Sequence, residues 1–481
     1  LLGLVALGLG PAAGPLRADV PLYKLRHDGP AVAAVFAADG KTLVTVRTVR
    51  FWGADTGQKL RRIEVKEPVA LAAFAPDGKF VAVAGETALV QLYDLASGKP
   101  GQPLNGYGGP VSYIGFSGVG TLAVCAQHLF FWDVATRQNR NLIAIGSHGT
   151  IVCALSLDGR QVAYAPAGGT LQVQDIAGFR STGYDLRNIT ALTFSPDNKF
   201  LAVGMADKSV RLMTEGRGEV GRLNTDEPAV ALAFSADSKT VATGGGDGTI
   251  RLFDAAGKEQ RRLIGHRAAI AGLAFAPDGR LLASASADGT VRVWELAGEA
   301  TAAPPPSLAG PGDAEQLWGD LLADDPAVSR RAFRGLAAAP ALTVPLVRDR
   351  LRSVARLSVD DQVRTWLANL DDDSFAVRQR ANAELARLGP SADPALRQAL
   401  ATASSVEVQR RIERLLGPRR ATPLAPEARR GLEGLELLVE IGTPEARRAL
   451  QDLSQASLAV PFGPEVSSAL ERLDKRTKPV R

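Results

Sequence analysis

Cysteine is almost missing from this chain: its 481 residues hold two, Cys125 and Cys153. That excludes a disulfide-rich scaffold and any zinc cluster built on cysteine. Both fall in apolar, strand-like runs, TLAVCAQ and TIVCALS, where a packed thiol is expected and a disulfide is the alternative. Histidine is hardly commoner. The four, His27, His128, His148 and His266, lie far apart and make no metal-ligand pair, so no metal is expected. A GxSxG elbow, an HExxH helix and a phosphate loop ending in Gly-Lys-Ser or Gly-Lys-Thr are also missing, which leaves no catalytic signature and implies no cofactor. The run GGGDG at 244–248 is in register with SADG at 286–289, and so reads as a hairpin turn rather than a phosphate cradle.

A surplus of one charge is lacking too. The chain has 56 basic and 51 acidic residues, 30 against 27 in residues 1–300 and 26 against 24 in 301–481. A surface that tracks phosphates needs a clustered stripe of Lys and Arg, so specific nucleic-acid binding is not expected. Long apolar runs are absent apart from LLGLVALGLG at residues 1–10. Ten residues are too few to span a bilayer, and no span is expected in the mature chain. The run fits the apolar part of a secretory signal, with small residues before a cleavage point after Ala18. The basic leader is missing and the first residue is Leu, so residues 1–18 read as a truncated signal peptide. Export to a periplasm or cell envelope is the expectation, with a cytoplasmic protein as the alternative.

What is present is repetition. An apolar strand ending in an aromatic or Leu, then a turn of the form (S/A)-P-D-G-(K/R), recurs at Phe36, Phe74, Phe116, Leu155, Phe194, Phe234 and Phe275, with spacings of 38, 42, 39, 39, 40 and 41 residues. Each copy continues into a third strand that ends in an aromatic-acid pair or its relic: Trp52, Tyr93-Asp94, Trp132-Asp133, Asp175, Met213, Phe253-Asp254 and Trp294-Glu295. Asp-Gly turns accept the positive φ of tight hairpins, and alternating apolar residues fill the space between stacked sheets.

These units resemble the bacterial members of the WD-repeat family, whose repeats are four-stranded blades around a central channel. The likeness is strongest in LIGHRAAIAGLAFAPDGRLLASASADGTVRVWEL and weakest in units 1, 3 and 4. It implies a seven-bladed β-propeller over residues 19–297. His266, Ser284, Asp288 and Trp294 match the family's buried hydrogen-bond network, a structural set rather than a catalytic triad. After VWEL no fourth strand follows, whereas DVPLYKLRHDG at 19–29 has the character of one. Residues 20–26 are therefore expected to pair with the strand around Val291–Glu295 and close the ring.

Residues 298–312 are rich in Ala, Pro and Gly and read as a linker. From 313 to 476 apolar residues recur at helical spacing, ahead of a tail at 477–481. The pattern Val328-x-x-Arg331-Ala332-x-x-x-Leu336 returns as Val377-x-x-Arg380-Ala381-x-x-x-Leu385, 49 residues on. It resembles HEAT-like helix pairs, which implies an α-helical solenoid. The Trp318 and Trp366 rings fall in apolar stripes and are expected in the core.

The functional reading is a non-catalytic scaffold with other proteins as partners, binding through a propeller face and the helical surface. WD-type propellers bind partners with the loops entering the first strand and the turns joining the second and third. Here those positions include Arg267, Asp247, Asp207 and Lys208. An enzyme with its active site at the central channel is the alternative, and the scarcity of His weighs against it.

Overall fold

Seven times the chain closes a hairpin on a residue held in the left-handed region: Gly40, Gly78, Gly120, Gly159, Asn198, Ser238 and Gly279 have φ between 58° and 77°. Glycine has no Cβ to clash there, and Asn is the commonest substitute. Each hairpin joins the first two strands of one antiparallel sheet. The computed structural model describes residues 21–296 and 308–477, except 28–29, 38, 47–48, 66–68, 86–88, 106, 119, 146–150, 178–179, 324, 359–360, 389–391, 393–394, 397–398, 401–402, 404, 417–425 and 456–462. The proposed signal segment 1–18 and most of the linker 298–312 lie outside the described residues, as does His148. The chain divides into two units near residue 301.

The first unit is a seven-bladed β-propeller. Blade 1 is β2–β5 (Ala33–Phe36, Thr42–Val46, Val49–Gly53, Lys59–Ile63) and blade 2 is β6–β8 (Leu71–Phe74, Phe80–Ala84, Val90–Asp94). Blade 3 is β9–β12 (Tyr113–Phe116, Thr121–Cys125, His128–Asp133, Asn139–Ala144), and blade 4 is β13–β16 (Ile151–Leu155, Gln161–Pro166, Leu171–Asp175, Ser181–Tyr184). Blade 5 is β17–β20 (Ile189–Phe194, Leu201–Met205, Ser209–Thr214, Gly218–Asn224), and blade 6 is β21–β24 (Ala229–Phe234, Thr240–Gly245, Thr249–Asp254, Glu259–Ile264). Blade 7 takes β25–β27 (Ile270–Phe275, Leu281–Ser286, Thr290–Glu295) from the end of the repeat region and β1 (Tyr23–Arg26) from its beginning.

That last sheet closes the circle. β1 runs antiparallel to β27, with Tyr23 opposite Val293 and Arg26 opposite Thr290. The hydroxyl of Tyr23 then donates across the seam to the carbonyl oxygen of Ala54, 2.5 Å away in blade 1. Ring closure removes two sheet edges that would otherwise offer unpaired N–H and C=O groups. Blade 2 is the thin one. On its outer side the third strand meets only isolated bridges, Val90 to Leu104 and Tyr93 to Pro100, because prolines at 100 and 103 interrupt a regular ladder.

The propeller has no single core. Apolar residues gather in seven clusters, one between each pair of adjacent blades, from Val44, Phe51 and Val83 between blades 1 and 2 to Leu25, Leu43 and Val293 across the seam. Each sheet is thus buried on both faces, which explains why the second strands read as nearly unbroken apolar runs.

The second unit is helical. Among the described residues it holds α1 (Pro311–Asp320), α2 (Pro326–Ala338), α3 (Pro340–Ser358), α4 (Asp361–Ala368), α5 (Phe375–Leu388), α6 (Val406–Leu416), α7 (Pro426–Ile441), α8 (Pro444–Gln455) and α9 (Gly463–Thr477). Asp325 caps α2 through a 2.8 Å bond from the N–H of Ala327. The 49-residue echo has matching burial, since Ala332 and Leu336 in α2 and Ala381 and Leu385 in α5 are all fully buried. The helices do not run on as a plain neighbour-to-neighbour stack, however. α1–α3 share one core with α7–α9, and α4–α6 form another around Leu370, Leu385 and Ile412. The reason is α7: Gly431 to Val439 are buried without a break, so it needs partners on all sides and takes them from both ends of the unit.

Candidate protein-interaction surface

Polar side chains inside the propeller are used for tying strands together. The fullest case is blade 7, where the structure brings His266, Ser284, Asp288 and Trp294 into one buried network. His266 Nδ1 lies 3.1 Å from Asp288 Oδ2 and His266 Nε2 lies 2.7 Å from Ser284 Oγ. Trp294 Nε1 donates to the same Ser284 oxygen at 2.8 Å. Asp288 also accepts from the backbone N–H of Arg267 at 2.9 Å and from Thr290, so the turn, the entering loop and the third strand are locked together. Burial opposes its ionisation, but the hydrogen bond and charge of His266, the charge of Arg292 and the hydroxyl of Thr290 hold its carboxyl far below the usual carboxylate range. The set thus ties the entering loop and the second and third strands of the blade together.

Other blades carry partial copies that sequence reading missed. In blade 1 Trp52 Nε1 donates to Thr45 at 2.9 Å, and the His27 ring sits edge-on to Trp52 with centroids 6.4 Å apart, the same separation as His266 and Trp294. In blade 3 Tyr107 takes the histidine's place, 6.2 Å from Trp132. Its acceptor position is Val124, two residues beyond the partner of the Trp as Thr45 and Ser284 are, and Trp132 Nε1 finds no acceptor among the described residues. Blade 6 replaces the network by ion pairs: buried Arg251 and half-buried Arg262 both contact Glu259 and Asp226. Blade 5 repeats the motif with Arg211 and Glu219. The signal was legible, an Arg in the third strand with a Glu eight residues later, at 211 and 219 and again at 251 and 259.

The face made by the entering loops and the turns between second and third strands bears mixed charge. Asp207 and Lys208 are exposed there, while Asp247 and Arg267 are half-buried. Asp207 and Asp247 spend carboxylate oxygens on their own turns, accepting from the N–H of Ser209 and of Thr249 at 3.0 Å each. Ser209 and Arg211 hold the Asp207 carboxyl below its ordinary range. Lys208 reaches Glu227 in blade 6 at 3.6 Å and so bridges two blades. Beside them a cleft of about 320 Å³ is lined by Asp185, Arg187, Asn188, Asp207 and Arg211. The rim thus presents interspersed charges of both signs. Among the described residues no group of three or more His, Cys, Asp or Glu is placed to hold a metal ion, and no helix is long and apolar enough to cross a membrane.

Comparison with known proteins agrees with this geometry. The WD40 family model, described as WD domain, G-beta repeat, matches residues 180–212, 220–254 and 257–295, so the chain carries WD40 repeats. Each match opens within two residues of the outer strand of one blade and ends in the third strand of the next, which is the same one-strand offset that β1 resolves at the seam. A curated relative, the anaphase-promoting complex subunit cdc20 of Dictyostelium discoideum, is 25% identical over 180 residues, 34% of this chain and 36% of that protein. The chain thus spans about a third of the length of the relative it matches.

Proposed function

We propose that this protein is a non-catalytic scaffold that binds other proteins through the turn-and-loop face of blades 5–7, with the helical unit adding a second surface. The observation that carries the reading is the character of that face: turns pinned by their own Asp side chains, charges of both signs, and buried polar clusters behind it that hold strands together. The cdc20 relative is by its name a subunit of a complex, which fits a role in assembly. The helical unit, with its HEAT-like 49-residue echo, would give one chain two sites and thereby avidity. Export to a bacterial periplasm or envelope belongs to the same proposal, motivated by the apolar run at residues 1–10.

The test uses charge reversal in the full chain. Lys208→Glu and Arg267→Glu should abolish co-purification of a partner from native cells, whereas Arg62→Glu on the outer strand of blade 1 should leave it intact. Equal capture by all three would sink the assignment of the face, and turnover of any substrate by the pure protein would sink the non-catalytic reading. Fractionating the native cells decides the compartment: protein in the cytosolic fraction alone would refute export.

A further inference from the structure

The only two cysteines of the chain, 28 residues apart in sequence, meet inside the propeller. Cys125 ends the second strand of blade 3, and Cys153 sits mid-way along the innermost strand of blade 4. Both belong to the apolar cluster between these two blades, with Leu129, Phe131, Ile151 and Tyr164. Their side chains interact within that cluster, and the Tyr113 ring packs against it. Two cysteines scattered at random over 481 residues would rarely touch. Neither is needed to complete a polar network, since a small apolar residue would fill either position.

We propose that Cys125 and Cys153 form a redox-modification site, a thiol pair that peroxide converts into a disulfide stapling blade 3 to blade 4. Access favours Cys153. It lines a cleft of about 220 Å³ between blades 3, 4 and 5, walled by Phe116, Leu155, Leu192 and Phe194, whereas Cys125 is fully buried. A cleft of that size admits a small oxidant such as hydrogen peroxide. The Cys153 thiolate attacks one oxygen of hydrogen peroxide, breaking the O–O bond to give a sulfenic acid and hydroxide. The Cys125 thiolate then attacks Cys153 Sγ, forming the S–S bond and expelling a second hydroxide. The two thiol protons convert both hydroxides to water, so two thiols are oxidised and one peroxide is reduced. Burial pushes the Cys153 thiol up, while the hydrogen bond from Cys153 brings the Cys125 thiol down. The first step therefore quickens as pH rises.

The test treats the full native chain with hydrogen peroxide, quenches it and measures its intact mass and remaining thiols after unfolding. The expected product has lost the mass of two hydrogen atoms and both alkylatable thiols, and a non-reduced digest joins the peptides of Cys125 and Cys153. Its melting temperature should rise by roughly 5–10 °C, reversibly with dithiothreitol, because the bond closes a 28-residue loop in the unfolded chain. The Cys125→Ala protein should instead gain oxygen at Cys153 and show no rise. Stepwise addition of oxygen in the wild type, a disulfide between two chains, or a native chain inert to peroxide would each overturn the proposal. The mass readout on the wild type stands even where the variant fails to fold.

Discussion

Ser284 Oγ is the hub of blade 7, since it takes the hydrogen bond of Trp294 and lies against the ring of His266. Removing His266 or neutralising Asp288 leaves buried partners unmatched, which costs about 1–3 kcal/mol. His266→Ala and Asp288→Asn should both lower the melting temperature, and unchanged transitions would show that the network contributes nothing. The pH dependence has a definite sign. A carboxyl whose folded pKa lies below its unfolded value stabilises at every pH above the unfolded value, about 4, and loses that contribution only as pH falls toward the folded one. The stability gap between wild type and Asp288→Asn should accordingly be constant from neutral pH down to about 4 and shrink below it. Blade 3 gives the converse experiment. Val124→Thr is nearly isosteric and would put an acceptor where Thr45 stands in blade 1, in reach of Trp132 Nε1. A gain of about 0.5–1 kcal/mol in denaturant unfolding is expected, whereas the same change at a site without an orphaned donor costs stability.

At the scale of elements, β1 and α7 carry the most risk. β1 supplies the outer edge of blade 7 and fills the seam with Tyr23 and Leu25, both nearly inaccessible. A chain shortened to begin at residue 30 should aggregate or unfold, and normal melting of it would refute the need for closure. The milder Tyr23→Phe keeps the packing and loses only the hydroxyl's bonds to the carbonyls of Ala54 and Gly53, so a loss of about 1 kcal/mol is expected. In α7 the close approach falls at Gly434. A Cβ there would lie 2.8 Å from Trp318 and 2.9 Å from Val347, both buried. Alanine favours a helix over glycine by about 1 kcal/mol, but rigid neighbours on two sides make overpacking the larger effect. Gly434→Ala should therefore destabilise the helical unit by about 1–3 kcal/mol, read as a lower urea midpoint with unchanged slope.

For the whole molecule, limited proteolysis is the informative measurement. The two units have separate cores, and the Ala-, Pro- and Gly-rich stretch lies between them. Cleavage within 298–312 should release two fragments that each stay folded by circular dichroism, one rich in strand and one in helix. A single resistant unit would contradict the division.

The sequence by itself determined what depends on local pattern: seven turns at even spacing, the third-strand aromatics, the change from strand to helix period, and the identity of the blade 7 network. Periodicity is a property of neighbours along the chain, so one strand's residues announce their own environment. Tertiary structure alone decided what depends on distant segments. It brought Cys125 to Cys153, set Tyr107 beside Trp132 in place of a histidine, thinned blade 2, and packed α7 against both ends of the helical unit. Such contacts follow from which buried faces find each other once the elements exist. Because an apolar face matches many partners equally well, its pattern leaves the choice open until the whole chain is packed.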